Sequence, residues 1–306
     1  MVVVALGFWP GCDSNKGPVF KQGDLYGLES GALSFAVDPH GARIVDVHLA
    51  GAANLLTGPA ANPTNFGSTF WTSPQSRWGW PPPSAFDTDA YMPSTTDARI
   101  AFDGPTATAL GVRMRKQFGV DVHRAGRIAA EYQIAATDDT GSSVAPWEIS
   151  RVPAGGLTFF GTGLTAPTAG GGFALPPTQD AAGCTWLDDR ATPIPTTGSR
   201  PDQKLLADGT GGWLAHVDGD VLLLKQFPDL PPGMAAPGEA EIEIFVQGAG
   251  AYVEIEEQGP YQTLAAAGQT LTWDVAWLVA RLPPGLAVRL GNPDLVSFVQ
   301  QMLMPQ

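Results

Sequence analysis

Chemically capable side chains gather in a few short segments. In Tyr252-Val253-Glu254-Ile255-Glu256-Glu257 polar and apolar positions alternate, so a two-residue pleat sets Tyr252, Glu254 and Glu256 on one face and Val253, Ile255 and Glu257 on the other. The first face suits the wall of a cleft. It equally suits a solvated antiparallel strand, as Glu241-Ile242-Glu243-Ile244 does nearby, and only a pocket or a raised pKa separates the two. A second segment runs from Gly67 through Trp71, Pro74, Gln75, Arg77, Trp78 and Trp80 to Pro81-Pro82-Pro83. Its prolines restrict the loop before any ligand arrives, and an indole can cover the C–H patch of a sugar while Gln75 and Arg77 serve hydroxyls or a carboxylate. Each Trp alone reads as core. The set resists complete burial, because Gln75 and Arg77 would need partners inside, so at least one indole should line a pocket.

Other candidates are isolated. Lys225 ends the apolar run Val221 to Leu224; it either snorkels outward or reaches into a cleft as a donor to a sugar hydroxyl or uronate. His40, His48, His123 and His216 lie far apart in a turn or in strand runs, with His48 and His123 the pair that could converge. Asp38, Asp138 and Asp139 sit in turns, and Asp188-Asp189-Arg190 reads as a loop pair. Metal-ligand spacings, phosphate loops and the Gly-x-Ser-x-Gly nucleophile motif do not occur, so neither metal nor cofactor is expected.

The elements that must position these groups are mostly strands. Alternation recurs over Ala32 to Val37, Ala42 to Leu49, Thr108 to Phe118, Arg127 to Ala136, Glu241 to Val246 and Tyr252 to Glu257. Between them stand turn signals such as Asp38-Pro39-His40-Gly41, Asp138-Asp139-Thr140-Gly141 and Gly248-Ala249-Gly250, at spacings of antiparallel hairpins. One helix is signalled at the C-terminus. Asn292 can cap it, Pro293 suits its first position, and Leu295, Val296, Val299, Met302 and Leu303 form a stripe expected to pack on the sandwich edge. Gly161 to Gly198 reads as a long ornamented loop or a boundary between two halves.

Composition agrees with an all-β chain. Of 306 residues 37 are Gly and 28 Pro, yet 44% are hydrophobic and nine are Trp, which describes a folded, turn-rich protein. Only 15% are charged, against the Glu, Lys and Arg content of helical bundles. Seventeen Lys and Arg against 30 Asp and Glu give a net charge of −13, which argues against nucleic-acid binding. No apolar run reaches the roughly 18 residues of a membrane span. Val2 to Pro10, followed by Gly11-Cys12, resembles the tail of a bacterial lipoprotein signal with Cys12 as the lipidated residue, although a basic start is lacking and Trp9-Pro10 fits poorly. Its alternative is an ordinary N-terminus. The expectation is export to the periplasm or cell surface, with any membrane contact through Cys12, against a cytoplasmic alternative; Cys184 is then a lone thiol or a partner of Cys12.

The segment Trp71-Thr72-Ser73-Pro74-Gln75-Ser76-Arg77-Trp78-Gly79-Trp80-Pro81-Pro82 resembles galactose-mutarotase-like proteins, and among them a family of unknown function. Ala145 to Gly156, with Trp147-Glu148-Ile149-Ser150-Arg151, and Tyr252 to Tyr261 agree in order and spacing, as does Gly41-Ala42-Arg43-Ile44. The resemblance implies a large antiparallel β-supersandwich with a short C-terminal helix: an N-terminal segment 1–27 and a single domain 28–306. Aldose epimerases of this superfamily open a sugar ring with a Glu base and a His acid on the concave sheet. The resemblance makes Glu254 or Glu256 the base and adds Trp147 and Tyr252 to Trp71, Gln75, Arg77, Trp78 and Trp80 as sugar-contacting residues. The acid departs from the pattern, since Trp147-Glu148 stands where a His is expected and Gly67-Ser68-Thr69 where related sequences show another. Glu148 could replace it if apolar neighbours such as Trp147 raise its pKa. Three readings follow: an epimerase-type isomerase, a non-catalytic carbohydrate-binding protein, or a structural envelope protein with its aromatic segment packed away.

Overall fold

The computed structural model describes residues 17–121, 123–191 and 199–304. Val2 to Pro10 and Cys12 lie outside them. Alternation does produce strands at all six expected places, and every pairing between strands is antiparallel: Leu33–Asp38, Arg43–Leu49, Val112–Val120, Arg127–Ala136, Ile242–Val246 and Tyr252–Gln258. Two sheets result among the described residues. The larger runs Val19–Gln22, Leu25–Ser30, Leu33–Asp38, Arg43–Leu49, Ser68–Ser73, Ser142–Pro153, Tyr252–Gln258, Ile242–Val246, Gln203–Ala207, Thr168–Ala169, with Gln262–Leu264 paired to the start of Ser142–Pro153. The smaller runs Gln179–Ala181, Cys184–Asp188, Leu157–Gly161, Trp213–Asp218, Val221–Gln226, Thr270–Arg281, Arg127–Ala136, Val112–Val120, Arg99–Ala107, Met92–Thr95.

The pleat decides what lies between them. Phe35, Val37, Val47, Phe70, Ile244 and Ile255 of the larger sheet are buried against Phe102, Phe118, Tyr132, Val275 and Trp277 of the smaller one. Phe70 stacks on Tyr132 with centroids 4.0 Å apart, and Phe35 meets Trp277 edge-on at 5.6 Å. These contacts hold the two sheets as a sandwich.

Within the stretch from Gly161 to Gly198, Cys184–Asp188 pairs with Leu157–Gly161 inside the smaller sheet. Two expectations need correcting. The C-terminal helix, Pro293–Leu303, covers the outer face of the smaller sheet rather than an edge: Leu295 and Val299 are buried with Leu222, Leu224, Ala276 and Leu278. Asn292 caps it as expected, its side-chain oxygen accepting from the Asp294 N–H at 3.1 Å. Lys225 neither snorkels nor reaches an outer cleft. It is fully buried between the sheets, paired with Glu148 and with Glu257 at 2.9 Å, bonded to Ser150 at 3.0 Å, and seated 3.5 Å from the Trp277 ring centroid.

Candidate functional site

The site is on the outer face of the larger sheet and follows from register. Trp147 stands opposite Trp71 and Gln258, Ile149 opposite Thr69 and Glu256, and Arg151 opposite Glu254. One strand further, Glu243 stands opposite Glu256; beyond it, Leu206 stands opposite Glu243 and Lys204 opposite Phe245. Glu254 and Glu256 therefore share this face, while Glu257 points into the sandwich.

The carboxylates have distinct partners. Glu254 takes the Arg151 Nε–H at 2.9 Å and the Asn65 amide at 2.9 Å; the same amide donates to the Tyr252 hydroxyl at 3.0 Å. Its side chain keeps 14% exposure. Glu256 is sealed: the Trp147 indole N–H donates to it at 2.9 Å and the Lys204 ammonium lies 3.5 Å away. Lys204 also pairs with Glu243 at 2.5 Å, and Gln258 donates to Glu243 at 2.7 Å. Burial pushes Glu256 up to about 8 and Glu243 up to about 7, against the lowering pull of Lys204. Burial works to lower Lys204 in turn, but the Glu256 and Glu243 carboxylates outweigh it and the ammonium is raised. Near neutral pH the Glu243 and Glu256 pair therefore holds a proton beside a cation.

Above this floor sits the Trp-rich loop. Trp71 meets Trp78, Trp147 and Trp80 edge-on at 5.6, 5.8 and 6.1 Å, and the Trp78 N–H donates to the Thr72 carbonyl at 2.9 Å. Trp71 and Trp147 are buried, and cations already cover them: Arg151 lies 5.2 Å from the Trp71 centroid and Lys204 5.3 Å from that of Trp147. They support the site from beneath rather than presenting a face to a ligand. Trp78 is half-buried. Trp80 is 61% exposed, so the segment is not packed away. It opens on a cleft of about 420 Å³ lined by Gln75, Trp80, Phe173, Lys204, Leu206 and Glu239. Glu239 fixes one wall to the other by accepting the Gln75 backbone N–H at 2.9 Å. Arg77 is exposed, its guanidinium donating to the Ser143 carbonyl at 2.6 Å.

Glu148 is not part of this constellation. One residue from Trp147, it takes the opposite pleat and faces the interior, where the Tyr132 hydroxyl and Lys225 bind its carboxylate. Trp147 cannot desolvate it from the other side of the strand. The histidines are engaged elsewhere: His40 with Asp38 at 2.9 Å, His48 with Asp46 at 2.9 Å, His123 in the turn after Asp121, and His216 with Thr158 in the smaller sheet. Burial lowers His216 to about 4. The sequence reading missed Lys204, Glu239, Phe173 and the use of Glu243. Lys204 did leave a trace, a cation directly before the apolar run Leu205-Leu206-Ala207.

No family model and no curated protein matches the chain. Solved structures do. A galactose mutarotase-like protein from Lactobacillus casei is 13% identical with a TM-score of 0.52, the match covering 84% of this chain and 100% of that one. A galactose mutarotase related enzyme from Lactobacillus acidophilus is 10% identical, TM-score 0.54, with 87% and 100% covered. A provisionally assigned aldose 1-epimerase from Escherichia coli K12 is 12% identical, TM-score 0.53, with 84% and 99% covered. At such identities the likeness is one of fold.

Proposed function

We propose that this chain, which has the galactose mutarotase-like fold, recognises carbohydrate in the cleft beside Trp80. The observation that carries the reading is the pairing of an exposed indole with polar groups around one small hollow. Trp80 offers an apolar face for a sugar's C–H patch, and Lys204, Gln75 and Glu239 line the same hollow as the polar groups that would serve its hydroxyls. The names of the neighbours are consistent with a sugar ligand.

An epimerase-type activity is the second reading, favoured by the carboxyls of Glu254 and Glu256. Glu254 is the more open of the two, and Glu256 retains a proton near neutrality, so one could take a proton and the other give one. Glu256 has to be uncovered by Lys204 before it can touch substrate.

A thermal-shift and proton-NMR screen against reducing monosaccharides and uronates separates these readings. Sugar recognition requires a stabilising ligand whose effect is lost in Trp80→Ala. Anomer exchange faster than buffer, abolished in Glu254→Gln or Glu256→Gln, establishes turnover. Ligand binding without exchange leaves a sugar-binding protein, and the absence of any saccharide ligand rejects both.

A further inference from the structure

The cleft beside Trp80 has a neighbour. Leu206 and Glu239, which line it, also line a second hollow of about 480 Å³ whose walls include Leu164, Thr168, Leu230 and Pro231. Strand register explains why they adjoin. Lys204 and Leu206 are two residues apart and share the outer face, and Thr168 pairs opposite Leu206 in the last strand of the sheet. The two hollows thus adjoin at Leu206 and Glu239 over the outermost strands of the sheet, and Leu164, on the second, is 89% exposed. The wall of the second hollow is built rather than draped: both the Leu230 and Gly209 N–H groups donate to Glu241, at 2.7 and 2.8 Å.

We infer that the ligand is a saccharide chain of two or more units, held with one unit at Trp80 and the next in the hollow between Leu206 and Leu164. This rests on the carbohydrate reading of the Trp80 cleft and extends it from a sugar to an oligosaccharide. Each hollow alone lies toward the lower end of the roughly 300–1,000 Å³ usual for a small-molecule site, and each has the same two-part chemistry. In the first, Trp80 and Phe173 are apolar and Gln75, Lys204 and Glu239 polar; in the second, Leu164, Leu230 and Pro231 are apolar and Thr165, Thr168 and Asp208 polar. A glycan repeats a C–H face and a hydroxyl edge with every unit, which is the pattern the two hollows repeat.

The test is calorimetry on the full chain with the mono- to tetrasaccharide ladders of cello-, malto-, manno- and β-1,4-galacto-oligosaccharides, for the parent, Leu164→Asp and Trp80→Ala. Leu164 is exposed, so its replacement is not expected to disturb folding, and thermal unfolding of each variant checks that. In one ladder the affinity should rise at least tenfold from one unit to three, Leu164→Asp should remove that gain while leaving the monosaccharide affinity unchanged, and Trp80→Ala should weaken every length. Equal affinity for one unit and three overturns the inference but leaves carbohydrate recognition standing. A gain that survives in Leu164→Asp also overturns it. Failure of every length to bind rejects the carbohydrate reading itself and the inference with it.

Discussion

At the scale of single residues, the tryptophans divide by what already covers them. Trp80 presents an open face, whereas Trp147 is buried, donates to Glu256 and lies under Lys204. Trp80→Ala should therefore weaken sugar binding by about tenfold, roughly 1.4 kcal/mol, with little change in unfolding midpoint. Trp147→Ala should instead cost about 3–5 kcal/mol of stability, the usual consequence of emptying a buried aromatic site. Titration calorimetry beside urea unfolding distinguishes the two, and a Trp80→Ala protein as unstable as Trp147→Ala would make Trp80 structural. Lys204 is a different case, because it is the cation that two buried carboxyls share. Its replacement by Met keeps the apolar stem but strands Glu243 and Glu256. Removing one partner from a buried ionic cluster costs about 3–5 kcal/mol, and that loss should appear at pH 8 and shrink at pH 5.5, where both carboxyls hold protons. Urea unfolding at the two pH values measures it, and an equal loss at both would assign the role of Lys204 to packing alone.

At the scale of elements, legibility in the sequence followed the range of the determining interactions. Strand periodicity and the helix signals at Asn292, Pro293 and Leu295 are local, and each produced its element with boundaries shifted by a few residues at most. The split of Glu254 and Glu256 from Glu257 is local too, since the pleat alone decides it. Two facts were not local. Which face of Ser142–Pro153 lies inside depends on the opposite sheet, and Glu148 faces inward because Tyr132 and Lys225 wait there. The meeting of Lys204 with Glu256 depends on register through Ile242–Val246, which no short window contains. The same distinction applies to the helix, whose start is local and whose worth is tertiary. Asn292→Ala should cost about 1 kcal/mol by removing the cap. Leu295→Ala should cost about 2–5 kcal/mol by opening a cavity between the helix and the smaller sheet. Urea unfolding of the two variants checks that ordering, and the reverse order would mean that the helix is held by its own end rather than by the sheet.

At the scale of the whole molecule, the buried carboxyls give stability a pH dependence whose sign can be worked out. Glu256 moves from its ordinary value of 4.5 to about 8, Glu243 and Glu241 from 4.5 to about 7, all through burial. Between those values the folded chain keeps protons that the unfolded chain releases. The contribution is fully present below pH 4.5 and is lost as pH rises through 7 to 8. The net charge of −13 works in the same direction, because further ionisation adds self-repulsion. His216, lowered to about 4, opposes the trend below 6.5, and Lys116, lowered to about 7 by burial, opposes it above 7. These background terms are common to the parent and Glu256→Gln, so the difference between the two proteins isolates the carboxyl. The amide keeps an oxygen to accept from the Trp147 indole but has no proton to hold. Relative to the parent, Glu256→Gln should gain stability from pH 6.5 to 8, with a slope of about 1.4 kcal/mol per pH unit at pH 6.5 that falls to about half by pH 8 if one proton is involved, and less where Glu243 takes over part of the uptake. Urea unfolding at half-unit intervals measures the slope. Parallel curves would mean that Glu256 is ionised throughout, and the proton beside Lys204 would then belong to Glu243.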